Sequence, residues 1–202
     1  MEFAEQLGGL AAGLVAADGP ARAVMVVPAS PGAGASTVAR SLARLVCAEV
    51  GRPVWLFDLD FRRNPQSRVG RFRDQRFEAA LGDARFWTAE PEGCGRLVFR
   101  RMEDLPVFVS RFERRPGAVK RVSMRSAPVY WDRVRKSCAL ALVDAPFGAA
   151  GVKSVAPDMD GVIVVADARD HPDLRAEAHA ARLDRCGAPV LGVVINRETA
   201  AA

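Results

Sequence analysis

The sequence predicts a doubly wound α/β fold, with a mostly parallel sheet carrying helices on both faces. Three observations predict it. Five short apolar runs recur along the 202-residue chain, each continuous rather than alternating between polar and apolar residues. Strands buried on both faces of a parallel sheet have that look. Helix-forming stretches separate most of the runs, and strand–helix–strand order winds into a parallel sheet. Finally, the ends of three runs carry small, hydroxyl or acidic residues, at the sheet edge where ligands of such folds bind.

Taken in order, the expected strands are "AVMVVPA" (23–29), "PVWLFDLD" (53–60), "CALALVDAP" (138–146), "GVIVVADA" (161–168) and "PVLGVVIN" (189–196). Turn-forming residues bound each run, as strands require. The expected helices are 35–50, 131–137 and 172–186. A short surface helix is expected to precede the first strand. Glu2 and Glu5 stand where a secretion signal needs positive charge. The stretch 62–130 is less regular. "RFRDQRFEAAL" (71–81) reads as helical. "GRLVFRR" (95–101), "LPVFVSRFER" (105–114) and "VKRVSMR" (119–125) read as short strands interrupted by Pro106, Pro116 and Pro128. This part is expected to be a remodelled flank of the same sheet, within one domain spanning 1–202.

Composition narrows the function classes. Half of the residues are hydrophobic, which excludes extensive disorder. The four cysteines (Cys47, Cys94, Cys138, Cys186) are far apart, so neither a metal motif nor a disulfide framework is expected, and a reducing cytoplasm suits them. No apolar run reaches the ~20 residues of a membrane helix. Net charge is +5 and unevenly placed: −2 over residues 1–61, +10 over 62–143 and −3 over 144–202. The basic middle favours an anionic partner.

The strand ends carry the chemistry. After the first comes "SPGAGAST", where Gly32 and Gly34 let backbone N–H groups turn toward an anion at a helix N-terminus. Ser36 stands where a phosphate-binding loop places its magnesium ligand, with Thr37 beside it. After the second come Asp58 and Asp60, and Asp144 ends the third. A hydroxyl with strand-end carboxylates is how a magnesium–nucleotide site is built. Ser36, Asp60 and Asp144 are the candidate magnesium set.

These motifs resemble the P-loop ATPases of the ParA/MinD class, and within it the bacterial tyrosine kinases of capsule and exopolysaccharide export. Pro31-Gly32-Ala33-Gly34-Ala35-Ser36-Thr37 resembles their Pro-Gly-Glu-Gly-Lys-Ser-Thr. Trp55-Leu56-Phe57 followed by Asp58-Leu59-Asp60-Phe61-Arg62 matches their second motif in full, and Leu142-Val143-Asp144-Ala145-Pro146 matches their third. The resemblance covers about 20–70 and 138–197 and leaves about 71–137 unmatched. It implies ATP and Mg²⁺ as ligands, Gly32, Gly34, Ala35, Ser36 and Thr37 around the phosphates, and Asn196 at the adenine.

Departures from the pattern shape the expected function. Ala35 stands at the P-loop lysine, and Ser30 at the signature lysine of the partition-type relatives. A cation ~4 Å from a phosphate is worth on the order of 4 kcal/mol at an effective dielectric near 20, or roughly three decades of affinity. Weak or absent ATP binding follows, with Asp58, Asp60 and Asp144 as remnants. Arg40 and Arg44 lie one to two turns into the next helix, too far to substitute. If the carboxylates stand ready, Ala35→Lys should raise nucleotide affinity. The tail after Asn196 has no tyrosine, no membrane segment is fused, and no early arginine offers the kinases' ring-assembly motif.

The expectation is a degenerate, non-catalytic relative that regulates or scaffolds synthesis or export of a surface polysaccharide (exopolysaccharide, capsule or holdfast). It would be cytoplasmic and reach the inner membrane face only through a partner. The resemblance implies as partner the cytoplasmic segment of a membrane polysaccharide co-polymerase, or another acidic protein, with a homodimer also open. Arg68, Arg71, Arg73 and Arg76 are the expected docking residues, while Asp58 and Asp60 neutralise Arg62 and Arg63. Two alternatives stand beside it. An active ParA/MinD-like ATPase would turn over Mg-ATP. A basic nucleic-acid-binding module lacks interleaved stacking aromatics, since Phe61, Phe72, Phe77 and Phe86 read as core anchors of a helix.

Overall fold

Eight strands join one sheet, and those at its centre find apolar cover on both sides. The computed structural model describes residues 2–15, 20–79, 81–115 and 119–197. Helix α1 (Glu2–Leu14) leads to β1 (Arg22–Pro28), then α2 (Ala35–Val50) and β2 (Val54–Asp58). The middle of the chain forms β3 (Phe72–Phe77), β4 (Trp87–Glu90), β5 (Gly95–Met102), β6 (Val107–Arg114) and β7 (Arg121–Met124). There follow α3 (Pro128–Ser137), β8 (Leu140–Asp144), α4 (Ala150–Val155), β9 (Gly161–Asp167), α5 (Pro172–Asp184) and β10 (Val190–Asn196).

The sheet order is β10-β9-β1-β8-β2-β6-β5-β3. From β10 to β6 every neighbouring pair is parallel, whereas β5 and β3 return antiparallel. β2 and β8 are buried at every residue, and β1 at every residue after Arg22. Alternate residues of these strands serve two cores. Val24, Val26, Leu56 and Leu142 pack with α1 and α2 on one face. Met25, Phe57, Val143 and Val164 pack with α3, α4 and α5 on the other. An aromatic cluster thickens the second core. Phe57 sits edge-on to Trp131 at 5.1 Å and to Phe99 at 5.3 Å.

The five expected parallel strands are present, and so are the expected helices within a few residues. Residues 71–81 differ: they hold edge strand β3, not a helix. Phe72 and Phe77 are half-buried and the four residues between them are exposed. Pairing with β5, Phe77 opposite Phe99, decides the conformation in place of helical spacing. Phe61 and Phe86 anchor the core from loops rather than from a helix. The flank is remodelled as expected: β6 and β5 extend the main sheet, and β4 pairs with β7 as a separate ribbon. Pro116 and the tail residues 198–202 lie outside the described residues.

Candidate functional site

Gly34 caps α2 with φ +94°, a left-handed conformation that only glycine holds at no cost. A Cβ there would collide with the Asn196 side chain arriving from the end of β10. The Asn196 amide donates to the Ala33 carbonyl at 2.8 Å, so the last strand pins the loop. Among the described residues, the backbone N–H groups of Gly32, Gly34, Ala35 and Ser36 meet no protein acceptor. Thr37 donates back to the Gly34 carbonyl at 2.9 Å. The loop therefore keeps a set of amides suited to an anion at the start of a 16-residue helix.

The carboxylates beside this loop are spent internally. Asp58 and Asp144 face each other in register across β2 and β8, both buried. Asp58 accepts from the Asp60 N–H at 2.9 Å and the Gln66 N–H at 2.8 Å. Its own N–H donates to the Ser110 hydroxyl at 2.8 Å. The Gln66 side chain enters between the strand ends. Its amide donates to Asp144 Oδ2 at 2.6 Å and to the Ser36 carbonyl at 2.8 Å, and its Oε1 accepts from Arg40 Nε at 3.0 Å. Gln66 is 1% exposed. Asp60 turns away and caps the following turn, accepting from the N–H groups of Arg62 and Arg63.

Burial pushes the Asp58 carboxyl up to about 7; the Gln66 N–H opposes this and the neighbouring Asp144 adds to it. Burial also raises Asp144, against the Gln66 amide, the Ser36 hydroxyl and Arg40. Arg40 is lowered by its own burial while both aspartates favour its charge. It thus reaches the site from α2 at the side of the carboxylates.

No protein-family model and no curated protein matches the sequence. Solved structures match in fold. The BceF tyrosine kinase domain aligns with a TM-score of 0.61 at 22% identity, over 87% of this chain and 68% of its own. The VpsO kinase domain aligns at 0.59 and 15% identity, over 98% and 92%. The septum site-determining protein MinD from Pyrococcus horikoshii, complexed with Mg-ADP, aligns at 0.55 and 20% identity, over 89% and 72%. The chain has the P-loop NTPase fold. At these identities the likeness is one of fold.

Within that fold the residues present fit a nucleotide only in part. The P-loop amides suit a phosphate. On the metal side, Asp144 is bonded to Gln66, Asp60 caps a turn, and Ala35 is a buried methyl. Across the loop, Asp167 at the end of β9 pairs with Arg169 and Arg197, and both hold its carboxyl well below the ordinary range. As arranged, Asp144 Oδ2 and Asp60 Oδ1 are engaged within the chain. Among the described residues no cluster of three or more His, Cys, Asp or Glu forms a metal site.

Of the expected site residues, the structure gathers Gly34, Ala35, Ser36, Asp58, Asp144 and Asn196 at the strand ends. Arg68, Arg71 and Arg73 are exposed, without ion pairs among the described residues. Arg76 is different: it pairs with Glu113 at 2.7 Å. Arg62 and Arg63 are not neutralised by Asp58 or Asp60, because those carboxylates bind backbone and the guanidinium groups face outward. Gln66 and Ser110 escape sequence reasoning, and Arg40, expected to lie too far into α2, reaches Gln66 beside the carboxylates. No spacing rule marks a glutamine after Asn64-Pro65 as a core residue.

Proposed function

We propose that this chain is a non-hydrolysing relative of the polysaccharide-export tyrosine kinases that works by binding a partner. It would regulate or scaffold synthesis or export of a surface polysaccharide. The observation that carries the non-catalytic part is the Gln66 side chain bonded to Asp144 beside an alanine at the lysine position. The pathway follows from the motif resemblance at Asp58, Asp60 and Arg62. Tyr130, the sole tyrosine, is 5% exposed and offers no phosphoryl acceptor.

The partner in this reading is the cytoplasmic segment of a membrane polysaccharide co-polymerase, or another acidic protein, meeting Arg68, Arg71 and Arg73 with Arg76 at the margin. In this reading membrane contact comes through the partner; no described helix is long and apolar enough to cross a membrane. Calorimetric titration with Mg-ATP tests the catalytic part. Absent heat and absent turnover are expected. Low-micromolar affinity, or turnover abolished by Asp144→Ala, would replace this reading with an active ATPase of the MinD kind.

A further inference from the structure

The β4–β7 ribbon stands beside the strand ends and leaves a cleft of about 940 Å³ between itself, the 59–63 turn and the 146–154 segment. All four residues of β7 line it. Among the described residues β7 pairs only with β4, so its other edge keeps backbone donors and acceptors outside any ladder, with Gly151 of α4 packed against Met124. A second cavity of about 360 Å³ shares Phe61, Arg62, Arg63 and Arg114 with the first and runs on toward Arg68 and Arg111. Together they make one trough. Arg114 is anchored at its centre, donating to the Phe61 carbonyl at 3.1 Å.

Charge in the trough is one-sided. Arg62, Arg63, Arg68, Arg111, Arg114 and Arg121 form no ion pair among the described residues. Of the two acidic side chains lining it, Asp60 caps its own turn and Glu113 is bonded to Arg76 and Arg96. Between the cations lie apolar groups: Val122, Met124 and Phe147, the last 48% exposed. Unpaired cations in a concave site focus potential on an anionic ligand.

The occupant's chemistry follows from the walls. Phe61 and Phe112 stack on each other at 4.6 Å and are buried, so they give bases no stacking surface. A flat bilayer does not enter a trough. An unpaired strand edge beside arginines and apolar side chains matches an extended polypeptide, which adds backbone hydrogen bonds and alternating side chains. We propose that the trough takes an extended acidic segment of a partner protein, added as a strand on the free edge of β7, with its carboxylates on Arg62, Arg114 and Arg121. This deepens the partner reading above and rests on it for an acidic partner, but extends the partner onto a second surface that meets the β3 side only at Arg68 and Arg76.

The probe is a fluorescent peptide alternating glutamate and valine, followed by anisotropy on the full chain. Arg114→Glu with Arg121→Glu should weaken binding at least about tenfold, while Arg71→Glu with Arg73→Glu, at residues that line neither cavity, changes it less than about threefold. The milder pair Arg114→Gln with Arg121→Gln, checked for an unchanged melting curve, should also weaken it. Hydrogen exchange should show peptide-dependent protection of residues 121–124. The trough is overturned if neither double variant weakens binding, if no protection appears there, or if a single-stranded oligonucleotide of equal charge binds more tightly than the peptide. Loss of binding in the Arg71→Glu, Arg73→Glu variant alone would overturn the trough and leave the acidic-partner reading standing. Tight Mg-ATP binding alongside an intact peptide site would remove the non-catalytic reading and leave the trough.

Discussion

Two polar regions lie within a few residues of each other, and they are built in opposite ways. Around Gln66, two buried carboxylates, one arginine and one amide close on themselves, each bonded to or facing another member or a backbone group. Starting at Arg62, the neighbouring trough collects cations that nothing among the described residues pairs. A buried polar group left unpaired is costly, so the first region must be satisfied from within the chain. Exposed cations carry no such requirement and leave their field for something else. The same strand ends thus hold one region that stabilises the fold and another open to a partner.

Breaking the closed region should give the largest effect. Gln66→Ala strips Asp144 of a donor and Arg40 of an acceptor in a buried setting. Losing partners to buried charged groups costs about 3 kcal/mol in total. For a chain of this length that lowers Tm by about 6–12 °C. Differential scanning calorimetry measures it directly. A change below about 2 °C would mean that the glutamine merely fills space.

The closed region also sets a pH dependence with a definite sign. Asp58 is raised from 3.8 to about 7 by burial, with Asp144 beside it. Between those values the folded chain holds a proton that the unfolded chain has released. Stability is therefore greatest on the acid side of the window and falls as pH rises through it, by at most about 1.4 kcal/mol per pH unit. Urea denaturation at several pH values reads the slope, and Asp58→Asn should flatten it. A stability that climbs between about pH 5 and 7 would contradict a proton held by Asp58 in the folded chain.

The contrast between the two regions also explains what the sequence made legible. The parallel strands were readable because burial on both faces forces unbroken apolar runs such as 138–146 and 161–168. The P-loop and the Asp58, Asp60 and Asp144 positions were readable because backbone geometry ties them to strand ends. β3 was not, because an edge strand carries few apolar residues and owes its shape to β5. Gln66 was not, because its role exists only once β2, α2 and β8 have met. The trough was only partly visible: Arg62, Arg63 and Arg68 stood out, but Arg111, Arg114 and Arg121 did not, and its walls come from β7 and from residues around Phe147, distant in sequence.

Restoring the lysine sharpens the comparison further. Ala35→Lys alone should raise nucleotide affinity by less than the roughly three decades a P-loop lysine supplies, since Asp144 remains bonded to Gln66. Adding Gln66→Ala releases that carboxylate, and the double variant should gain about tenfold or more over the single one in affinity for Mg-ATP, or about 1.4 kcal/mol. The readout is the rise in melting temperature with ligand, which follows mass action. Equal gains from the single and double variants would show that the glutamine does not gate the pocket.

The smallest expected effect on the fold lies on the open side. Arg68, Arg71 and Arg73 are exposed and unpaired among the described residues, and the contacts of this segment with its neighbours are made by backbone. The Arg73 carbonyl accepts from Arg100 Nε at 3.1 Å, and the Arg71 carbonyl from the Glu103 N–H at 3.1 Å. Replacing all three by glutamate keeps those carbonyls in place and keeps charge on an edge strand that charge protects from pairing with other chains. Stability should change by no more than about 0.5 kcal/mol. Arg76 is the internal control, since Arg76→Glu would set a carboxylate against Glu113 and cost more. Pull-down of an intact acidic partner, which meets this face as well as the trough, should weaken at low salt in the triple variant, and the parent's own binding should weaken as salt rises. If the triple variant unfolds, these arginines hold the sheet edge rather than a partner; if it folds and captures the intact partner as well as the parent does, this face takes no part in docking.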